Sequence, residues 1–431
     1  MERTGAPRIC PLPCLVATRS RVPCRAVGTL MTAEGLLDRL MSAEGERLLA
    51  EIRTRDPNPA TLLATSSHLR KAFAPDLVAA ALTQHELRTR AAVKFSRADR
   101  MWLTRDGLEQ ATTEAIARHR ARRFTGFGAV ADLCCGIGGD LIALAGGDSV
   151  RPIVAVDRDP VHLRMALANA AVYGVSEWIE GRQADVREVD LTGIDAVFID
   201  PARRTDRGRT AAGASEPPLD WCIGLAGRVP AVGIKAAPGI PHHLVPPGWG
   251  LETIALGTDL KEAVLWSPAL TSGTTMATVI REDGVHSQAP VPGDPVPLRA
   301  PIPGDVLYDP NPAVTRAGLV EDLARTLDAA KIDDRIAFLV ANRAQPTPFA
   351  RALRVVASEP WNEKALHSRL RELGAGSLDI RRRGLAGDVD AIAKRLRGGA
   401  CGDRPLTIAM TRVQDRPWAV ICEEIPDARG S

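Results

Sequence analysis

The sequence lacks any run of about 18 consecutive apolar residues, so it predicts no membrane-spanning helix. Its eight cysteines include no C-x-x-C pair, which argues against a zinc site and favours free thiols in a reducing cytoplasm. It also lacks a marked excess of either charge, because 55 Lys and Arg stand against 52 Asp and Glu. We therefore expect neither a membrane nor a metal partner, and any nucleic-acid binding must come from local basic patches.

What is present is the composition of an ordinary globular protein, with 45% hydrophobic and 25% charged residues. This composition excludes the disordered, collagen-like and disulfide-scaffold classes. A length of 431 residues predicts two or three domains at about 150 residues each. Only seven of the 55 basic residues are Lys, and together with abundant Ala this bias favours a GC-rich bacterial genome.

Changes in composition divide the chain into five parts. Residues 1–30, rich in Arg and Pro, are interpreted as a disordered extension, a transit segment or the product of a start codon assigned too early. Leucines at helical spacing predict a helical region over 31–125. Apolar runs that alternate with helical patterns predict a sheet domain over 126–285, and clustered prolines predict a linker over 286–312. A second, smaller α+β domain is expected over 313–431.

The middle of the chain has a regular βαβ rhythm, which predicts a mostly parallel, doubly wound sheet with helices at 139–146 and 160–173. Ligands bind at the carboxyl ends of the strands in such sheets. The predicted strands are 129–133, 153–157, 196–200, 232–235, 251–256 and 274–280. In the last part of the chain, the predicted strands are 335–340, 376–382, 405–411 and 417–423, and the predicted helices are 313–330, 362–374 and 388–398.

A glycine-rich turn follows the first predicted strand, with the sequence Asp132-Leu133-Cys134-Cys135-Gly136-Ile137-Gly138-Gly139-Asp140. Glycines there let the backbone turn tightly and approach a ligand closely. The dinucleotide fingerprint G-x-G-x-x-G/A fails because its last position falls on Leu141, and no Gly-Lys-Ser/Thr follows as a P-loop requires. An acid four residues before G-x-G-G instead suits a sulfonium cofactor, with Asp132 accepting from its amino-acid moiety.

Two further acids follow the next strands. Asp157 ends the second strand, 25 residues after Asp132, and can hydrogen-bond both hydroxyls of a ribose. Asp185 follows a third strand and can reach an adenine amino group. Each acid alone is typical of a turn or a helix cap, but the ordered series predicts an S-adenosylmethionine site.

The fourth strand ends at Asp200-Pro201, beside the expected position of the methyl donor. The carboxylate and a nearby carbonyl can accept hydrogen bonds from a substrate amine and align its nitrogen for in-line attack on the methyl carbon. Positioning dominates such catalysis, because the cofactor supplies the electrophile and the leaving group. The alternative is that Asp200 only shapes a turn.

Basic residues are concentrated in two windows. Residues 88–123 have a local charge of +6, and residues 362–400 have +4, including Arg381-Arg382-Arg383 on a predicted strand. On a strand, alternation places Arg381 and Arg383 on one face. Each window is either a phosphate-contacting surface or an ordinary solvated face. The repeated Asp-Pro-Asn-Pro-Ala at 56–60 and 309–313 is interpreted as a pair of turns.

These motifs resemble the class I S-adenosylmethionine-dependent methyltransferases, in particular the branch that contains trimethylguanosine synthase. The resemblance runs from the glycine-rich turn through Asp157-Arg158-Asp159-Pro160 to the segment 169–174, and the segment from Lys94 to Thr112 resembles the lead-in to that domain. The segment 362–384 resembles the THUMP-like module that follows such domains in bacterial proteins, and THUMP domains bind tRNA. A Rossmann-like sheet is therefore implied, and the implied contacts to S-adenosyl-L-methionine are Asp132, Cys134, Gly136, Gly138, Gly139, Asp157, Arg158, Asp185 and Asp200.

The acceptor side departs from the family pattern. Amino-methyltransferases carry Asp/Asn-Pro-Pro-aromatic after the fourth strand, whereas this chain has Asp200-Pro201-Ala202-Arg203. The aromatic that would stack on a flipped base is absent, and Arg203 can stack or grip phosphate without being equivalent to it. The implied catalytic residues are Asp200, Pro201 and Arg203, and the implied RNA contacts are Arg203, Arg204, Arg381 and Arg383.

The resulting prediction is a cytoplasmic bacterial enzyme that transfers a methyl group from S-adenosylmethionine to a base nitrogen of structured RNA, such as tRNA or rRNA. Two alternatives stay open. A catalytically weakened RNA-binding protein that retains the cofactor pocket is favoured by the altered fourth-strand motif. A methyltransferase of a small molecule or a protein would show no salt-sensitive affinity for RNA.

Overall fold

The computed structural model describes residues 32–146, 151–202, 204–205, 208–209, 215–399 and 402–425. The predicted extension at 1–30 lies outside this part of the chain. The described residues form a helical N-terminal region followed by a nine-stranded and a seven-stranded sheet, which confirms the predicted α/β class. No helix within these ranges is both long and apolar enough to span a bilayer.

The N-terminal region is helical, as predicted. Its α-helices are α1 (Ala33–Leu40), α2 (Ala43–Arg55), α3 (Leu62–Leu69), α4 (Pro75–Ala91), α5 (Arg105–Gln110) and α6 (Glu114–Ala121). The leucines at helical spacing face inward, and Leu37, Leu48 and Ile52 are buried. Asp56 takes a left-handed conformation with φ 42° before Pro57, and this conformation ends α2 where the sequence predicts a stop.

The nine-stranded sheet occupies the middle of the chain, and all six predicted strands are present to within one residue at each end. Its elements and those that connect them are β1 (Val130–Leu133), α7 (Gly139–Ala145), β2 (Ile153–Asp157), α8 (Pro160–Tyr173), β3 (Ile179–Gln183), β4 (Ala196–Ile199), β5 (Arg204–Thr205), β6 (Gly208–Arg209), α9 (Leu219–Gly224), β7 (Ala231–Ala236), β8 (Gly250–Leu256), β9 (Asp259–Trp266), β10 (Thr275–Arg281) and β11 (Gly284–Gln288). The strands β5 and β6 pair only with each other. Helix α8 has the predicted bounds because Asp159 caps its start and Gly174 ends it in a left-handed conformation.

The strands stand in the order β11-β10-β8-β9-β7-β4-β1-β2-β3. The strands from β3 to β7 in this order are parallel, whereas β9 is antiparallel to both of its neighbours. Strand β9 was not predicted, because its first half is exposed and charged, at Asp259 and Lys261, which hides the pattern of a buried strand. The order reverses at β1, so the carboxyl ends of β1 and β4 form the position where such sheets bind ligands.

The seven-stranded sheet occupies the last third of the chain, in the order β13-β14-β12-β15-β18-β17-β16. Only β16 and β17 are parallel neighbours. The elements are β12 (Val306–Pro310), α10 (Pro312–Ala317), α11 (Val320–Thr326), β13 (Ala330–Lys331), β14 (Leu339–Ala341), β15 (Ala350–Pro360), α12 (Glu363–Glu372), β16 (Ala375–Arg382), α13 (Val389–Leu396), β17 (Arg404–Val413) and β18 (Arg416–Glu424). Helices α12 and α13 and strands β16 to β18 match the prediction closely, whereas β12 and β15 were not predicted.

The proline-rich segment 286–312 differs from the predicted linker at both of its ends. Strand β11 extends to Gln288, and β12 lies inside the second sheet between β14 and β15. A strand forms inside the predicted linker because Pro310 is only the last residue of β12, and the preceding residues retain their N–H groups. The segment 309–313 is therefore the end of a buried strand and the start of α10, whose first turn is capped by Asn311.

The two sheets share an apolar core. Ala255 and Val279 from the first sheet pack in one cluster with Tyr308, Val314 and Leu323 from the second. Hydrogen bonds cross the same boundary, from the hydroxyl of Thr253 to the carbonyl of Ala313 (2.8 Å) and from the side-chain amide of Asn311 to the carbonyl of Gly257 (2.8 Å). The C-terminal unit is thus docked on the first sheet, and removing it would expose the core of both.

The helix α6 is tied to the first sheet by a buried carboxylate, that of Glu252 on β8. His119 lies 2.7 Å from it, and Trp266, Thr278 and Arg123 donate to it at 2.9, 2.5 and 3.2 Å. Burial alone would raise the pKa of Glu252, but the hydrogen bond and charge of His119, together with Arg123 and Thr278, hold it down to about 2. This network anchors the N-terminal region to the sheet.

We expect Glu252→Gln to lower the free energy of unfolding by roughly 3–5 kcal/mol near neutral pH, because it removes the buried carboxylate that pairs with Arg123 and accepts from Trp266 and Thr278. The depressed pKa means that the stabilisation is fully present above the ordinary glutamate pKa and is lost as the pH falls towards about 2. The difference between wild type and variant in urea unfolding should therefore shrink at acid pH. Glu180→Gln, in the exposed pair with Arg182, is the matched control and should unfold like wild type.

Candidate active site

A cleft of about 290 Å³ opens at the carboxyl ends of β1, β2 and β4. Almost all of the residues predicted to bind the cofactor lie in the wall of this cleft. The predicted residues that line the cleft are Asp132, Cys134, Gly136, Gly139, Asp157, Arg158, Asp185 and Asp200. Gly138 is the exception, since a Cβ added there would lie 3.0 Å from the Cα of Ala166. Its role is the close packing of the turn against α8.

The glycine-rich turn has a backbone that side chains seldom adopt. Cys134, Gly136 and Gly138 all have positive φ, at 60°, 54° and 86°. The amide of Gly136 points inward and donates to the carboxylate of Asp157 at 2.8 Å. The turn therefore keeps its backbone close to the cleft, as the glycine pattern predicts.

Asp157 and Asp185 are both oriented by backbone amides. Besides Gly136, the amide of Asp159 donates to Asp157 at 2.9 Å, which fixes the carboxylate and leaves lone pairs for a diol. Asp185 accepts from the amide of Arg187 at 2.9 Å and from its guanidinium at 3.2 Å. The pairing with Arg187 was not predicted, because it depends on the turn after β3.

Asp132 has a different environment. It is 1% exposed, and neither carboxylate oxygen has a hydrogen-bond partner among the described residues. Burial, followed by the charges of Asp140 and Asp200, raises the pKa of Asp132 well above its usual value. A buried carboxylate without a partner is costly, and an ammonium group in the cleft would satisfy it. The site therefore fits the methionine moiety of S-adenosylmethionine.

A buried cation from the N-terminal region pairs with Asp140, a residue of the cleft wall. Arg120, on α6, is 2% exposed and forms ion pairs with Asp140 and with Glu262, the latter at 2.7 Å. Its guanidinium lies over the ring of Phe198 at 4.6 Å. Arg120 was not predicted, because it is one of many Arg in the basic window 88–123. The preceding segment lines the cleft itself, through Asp106, Gly107, Gln110, Ala111 and Thr112.

Asp200 lies at the end of β4, and a lysine contacts it. The Nζ atom of Lys235, near the end of β7, lies 2.5 Å from Asp200 Oδ2. Lys235 is 6% exposed, whereas a quarter of the Asp200 side chain remains accessible. Pro201 is buried beside Asp200 and does not line the cleft. Among the described lining residues there is no Phe, Tyr or Trp.

Two of the predicted RNA contacts, Arg203 and Arg204, follow Asp200 closely in the sequence. Arg203 lies outside the described residues, and Arg204 is described only through its backbone in β5. The hairpin of β5 and β6 is followed by Glu216, whose backbone pairs with that of Ala202 and whose carboxylate forms an ion pair with Arg187. Ala202, Glu216 and Pro217 also line the cleft, so the described residues at the two ends of this segment form part of its wall.

The two arginines predicted on one face of a strand differ in environment. Arg381, on β16, is about half exposed and pairs with Asp379 at 3.0 Å. Arg383 lies beyond the end of β16 and donates to Asp309 at 2.8 Å and to the carbonyl of Pro310 at 2.9 Å. Arg383 therefore joins β16 to the end of β12, and its donors are used within the fold instead of facing phosphate.

The basic window 88–123 is also largely used within the fold. Arg88 donates to the carbonyl of Met101, Arg105 forms an ion pair with Glu86, and Arg118 forms one with Glu114. Ordinary structural contacts therefore account for much of its excess positive charge.

Comparison with known families gives three matches along the chain. The family described as RNA cap guanine-N2 methyltransferase matches residues 127–211, which contain the strands around the cleft. The family described as THUMP domain-like matches residues 350–424. A domain of unknown function matches residues 36–91, which fall in the helical N-terminal region.

Relatives that match most of the chain are also named as methyltransferases. An uncharacterized S-adenosylmethionine-dependent methyltransferase of Mycobacterium tuberculosis is 35% identical over 323 residues, which cover 72% of this chain and 85% of the relative. The same values hold for the protein of that name in the strain H37Rv. A crystal structure of a putative methyltransferase from Porphyromonas gingivalis W83 superposes with a TM-score of 0.71 at 20% identity, over 88% of this chain and 98% of that chain. At this identity the superposition supports the fold.

Asp132 gives a specific expectation for ligand binding. Because burial and the nearby acids raise its pKa, it holds a proton to a higher pH than usual in the free protein, and an ammonium partner would lower that pKa again. Binding of S-adenosylmethionine should therefore release a proton in the pH range between the two values, measurable by calorimetry in buffers of different ionisation enthalpy. Asp132→Asn should abolish this release and weaken binding by about tenfold or more.

The control for this measurement is Asp190→Asn, an exposed acid outside the cleft wall, which should bind and release protons like wild type. Undiminished proton release in a folded Asp132→Asn protein would contradict the placement of the ammonium group at Asp132.

Proposed function

Because this chain belongs to the S-adenosylmethionine-dependent methyltransferases of class I and has a C-terminal THUMP-like domain, we propose that it methylates a base nitrogen of structured RNA, such as tRNA or rRNA. The observation that supports an RNA substrate most strongly is the combination of two family matches in one chain. An RNA methyltransferase family matches around the cleft, and a THUMP-like family matches in the unit docked on the same sheet.

In this proposal the strand-end acids hold the cofactor. Asp132 accepts from the ammonium of the methionine moiety, Asp157 from the ribose hydroxyls and Asp185 from the adenine amine. The turn around Gly136 approaches the ligand with its backbone, and Arg158 and Cys134 complete the wall. When bound, the cofactor supplies a methyl group on a sulfonium, so the protein's contribution is binding, orientation and electrostatics.

Asp200 is the proposed acceptor-side residue. Lys235 engages Oδ2, and Oδ1 has no hydrogen bond to any described residue, so Oδ1 can accept from an N–H of the target base. That hydrogen bond turns the nitrogen lone pair towards the methyl carbon for in-line attack. The stacking that an aromatic provides in related motifs is assigned to Arg203, whose planar guanidinium can lie against a base.

RNA outside the cleft is proposed to contact the C-terminal unit. Arg381 is half exposed, and four further cations on or beside the helical layer are exposed and form no ion pair with described residues. These cations are Lys364, Arg371, Lys394 and Arg397. Arg204 is proposed to contribute near the cleft. Such interactions with phosphates release counterions, so binding must weaken as salt rises.

The substrate class can be tested directly. The purified protein is incubated with methyl-labelled S-adenosylmethionine in three parallel reactions. One contains RNA from a strain that lacks the gene for this protein, one contains DNA and one contains a protein extract. The RNA is then digested and its nucleosides are analysed by mass spectrometry. We expect label in RNA as one methylated base that the deletion strain lacks. Label confined to protein or to small molecules would contradict the RNA proposal.

Asp200 should be required for transfer and not for retention of the cofactor. Asp200→Asn should still bind S-adenosylmethionine, because the strand-end acids remain, but single-turnover methylation at saturating cofactor should slow by about 10²-fold or more. Asp220→Asn, on α9 away from the cleft wall, is the matched control and should react at the wild-type rate. A wild-type rate in Asp200→Asn would rule out this role.

The C-terminal cations should set the salt dependence of RNA binding. Replacing Lys364, Arg371 and Arg381 by Gln should weaken RNA binding and flatten the slope of log affinity against log salt by about 0.7–0.9 for each phosphate that the variant no longer neutralises. Affinity for S-adenosylmethionine should not change. Arg383→Gln is the comparison, and it should lower thermal stability while leaving the slope unaltered, because its donors are bound to Asp309 and Pro310. An unaltered slope in the triple variant would contradict this RNA-binding surface.

A further inference from the structure

Lys235 is a buried cation that contacts Asp200, a residue of the cleft wall, and the cofactor contacts proposed above leave it without a role of its own. It is one of only seven lysines in the chain and is 6% exposed. Its Nζ atom lies 2.5 Å from Asp200 Oδ2, which is within hydrogen-bond distance. Buried lysines are uncommon because their charge must be paired. A buried ion pair beside the cleft therefore indicates a specific role.

The pair is formed by the sheet itself. Strands β4 and β7 are parallel neighbours with Ile199 opposite Ile234, so Asp200 and Lys235 take the next positions on adjacent strands. Asp200 directly follows the fully buried strand β4, and Lys235 lies within the fully buried strand β7. The carboxylate is therefore held from one side in a fixed place, which is what a residue that aligns a substrate requires.

Lys235 is the cation that forms an ion pair with Asp200, whereas the other cations of this region contact other groups. The other buried or nearly buried acids of this region are Asp132, Asp140, Asp157 and Glu262. Arg120 is already bound between Asp140 and Glu262. The amine of Lys94, which also lies in the region, donates to backbone carbonyls of residues 108, 109 and 111.

We propose that Lys235 is a positioning residue for methyl transfer, which fixes the Asp200 carboxylate and offsets its charge opposite the sulfonium. The inference rests on the proposed acceptor-side role of Asp200. A bare carboxylate would stabilise the charged cofactor before transfer, while the charge is still on sulfur, and such ground-state stabilisation does not speed the reaction. The paired carboxylate keeps one oxygen for the substrate and loses much of that unproductive attraction.

The ratio of affinities for S-adenosylmethionine and S-adenosylhomocysteine measures this charge, because the two ligands differ by the methyl group and the positive charge on sulfur. Lys235→Met removes the counter-ion and should raise the preference for S-adenosylmethionine by about tenfold or more, the size expected for one uncompensated charge a few ångströms away. Asp200→Asn should lower it by a similar factor. Lys235→Arg keeps the charge and should keep the wild-type ratio.

The double variant, Asp200→Asn with Lys235→Met, removes both charges and should return the ratio close to that of wild type. It replaces a buried ion pair by neutral groups, which proteins often tolerate. If Lys235→Met alone does not fold, the comparison of Asp200→Asn with the double variant still isolates the effect of Lys235. Arg182→Met, which breaks the exposed pair with Glu180, is the matched control and should not move the ratio.

An affinity ratio that Lys235→Met leaves unchanged in a folded protein would overturn the proposal, and so would a double variant whose ratio equals that of Asp200→Asn alone. Both ligands are measured by calorimetry without RNA. A failure of this test is therefore distinct from a failure of the RNA proposal, which is decided by the nucleoside analysis.

Discussion

The cleft depends on the guanidinium of Arg120. The carboxyl ends of β1 and β4 and the start of α7 place Asp132, Asp200 and Asp140 close together, and Glu262 on β9 approaches from the same region. Like charges in a region of low dielectric repel strongly unless a cation lies among them. Arg120 provides that cation, because it forms ion pairs with Asp140 and Glu262 and is itself buried against Phe198.

This interaction makes the helical N-terminal region part of the active site. Arg120 lies on α6, and the preceding segment 106–112 forms a wall of the cleft. The hydroxyl of Thr112 donates to Glu262 at 3.2 Å, and the Glu252 network holds the same helix from the other side. The C-terminal unit is joined to the first sheet through a common apolar core. The chain therefore behaves as one connected structure, although its composition suggests separable parts.

The cofactor half of the site could be predicted from sequence because it is local. Each strand-end acid directly follows a short apolar run, and parallel strands bring their carboxyl ends to one edge of the sheet. The partners of those acids could not be predicted in the same way. Arg120 and Glu262 meet across more than a hundred residues, and the strand that bears Glu262 begins with exposed charges that mask its buried half. Strand β12 was missed for the opposite reason, since the surrounding prolines outweighed its few buried positions.

The acceptor half differs from the cofactor half in kind. The acids proposed to bind the cofactor follow the class I pattern, whereas the residues after Asp200 have Ala202 and Arg203 in place of Pro and an aromatic. Lys235 then contacts Asp200 from the neighbouring strand. A site without an aromatic platform must hold its acceptor by charge and hydrogen bonds, and a carboxylate that aligns a base must itself be held. The absence of the aromatic and the presence of a buried lysine therefore fit one account. The ion pair of Lys235 with Asp200 takes the place of aromatic stacking in ordering the acceptor side.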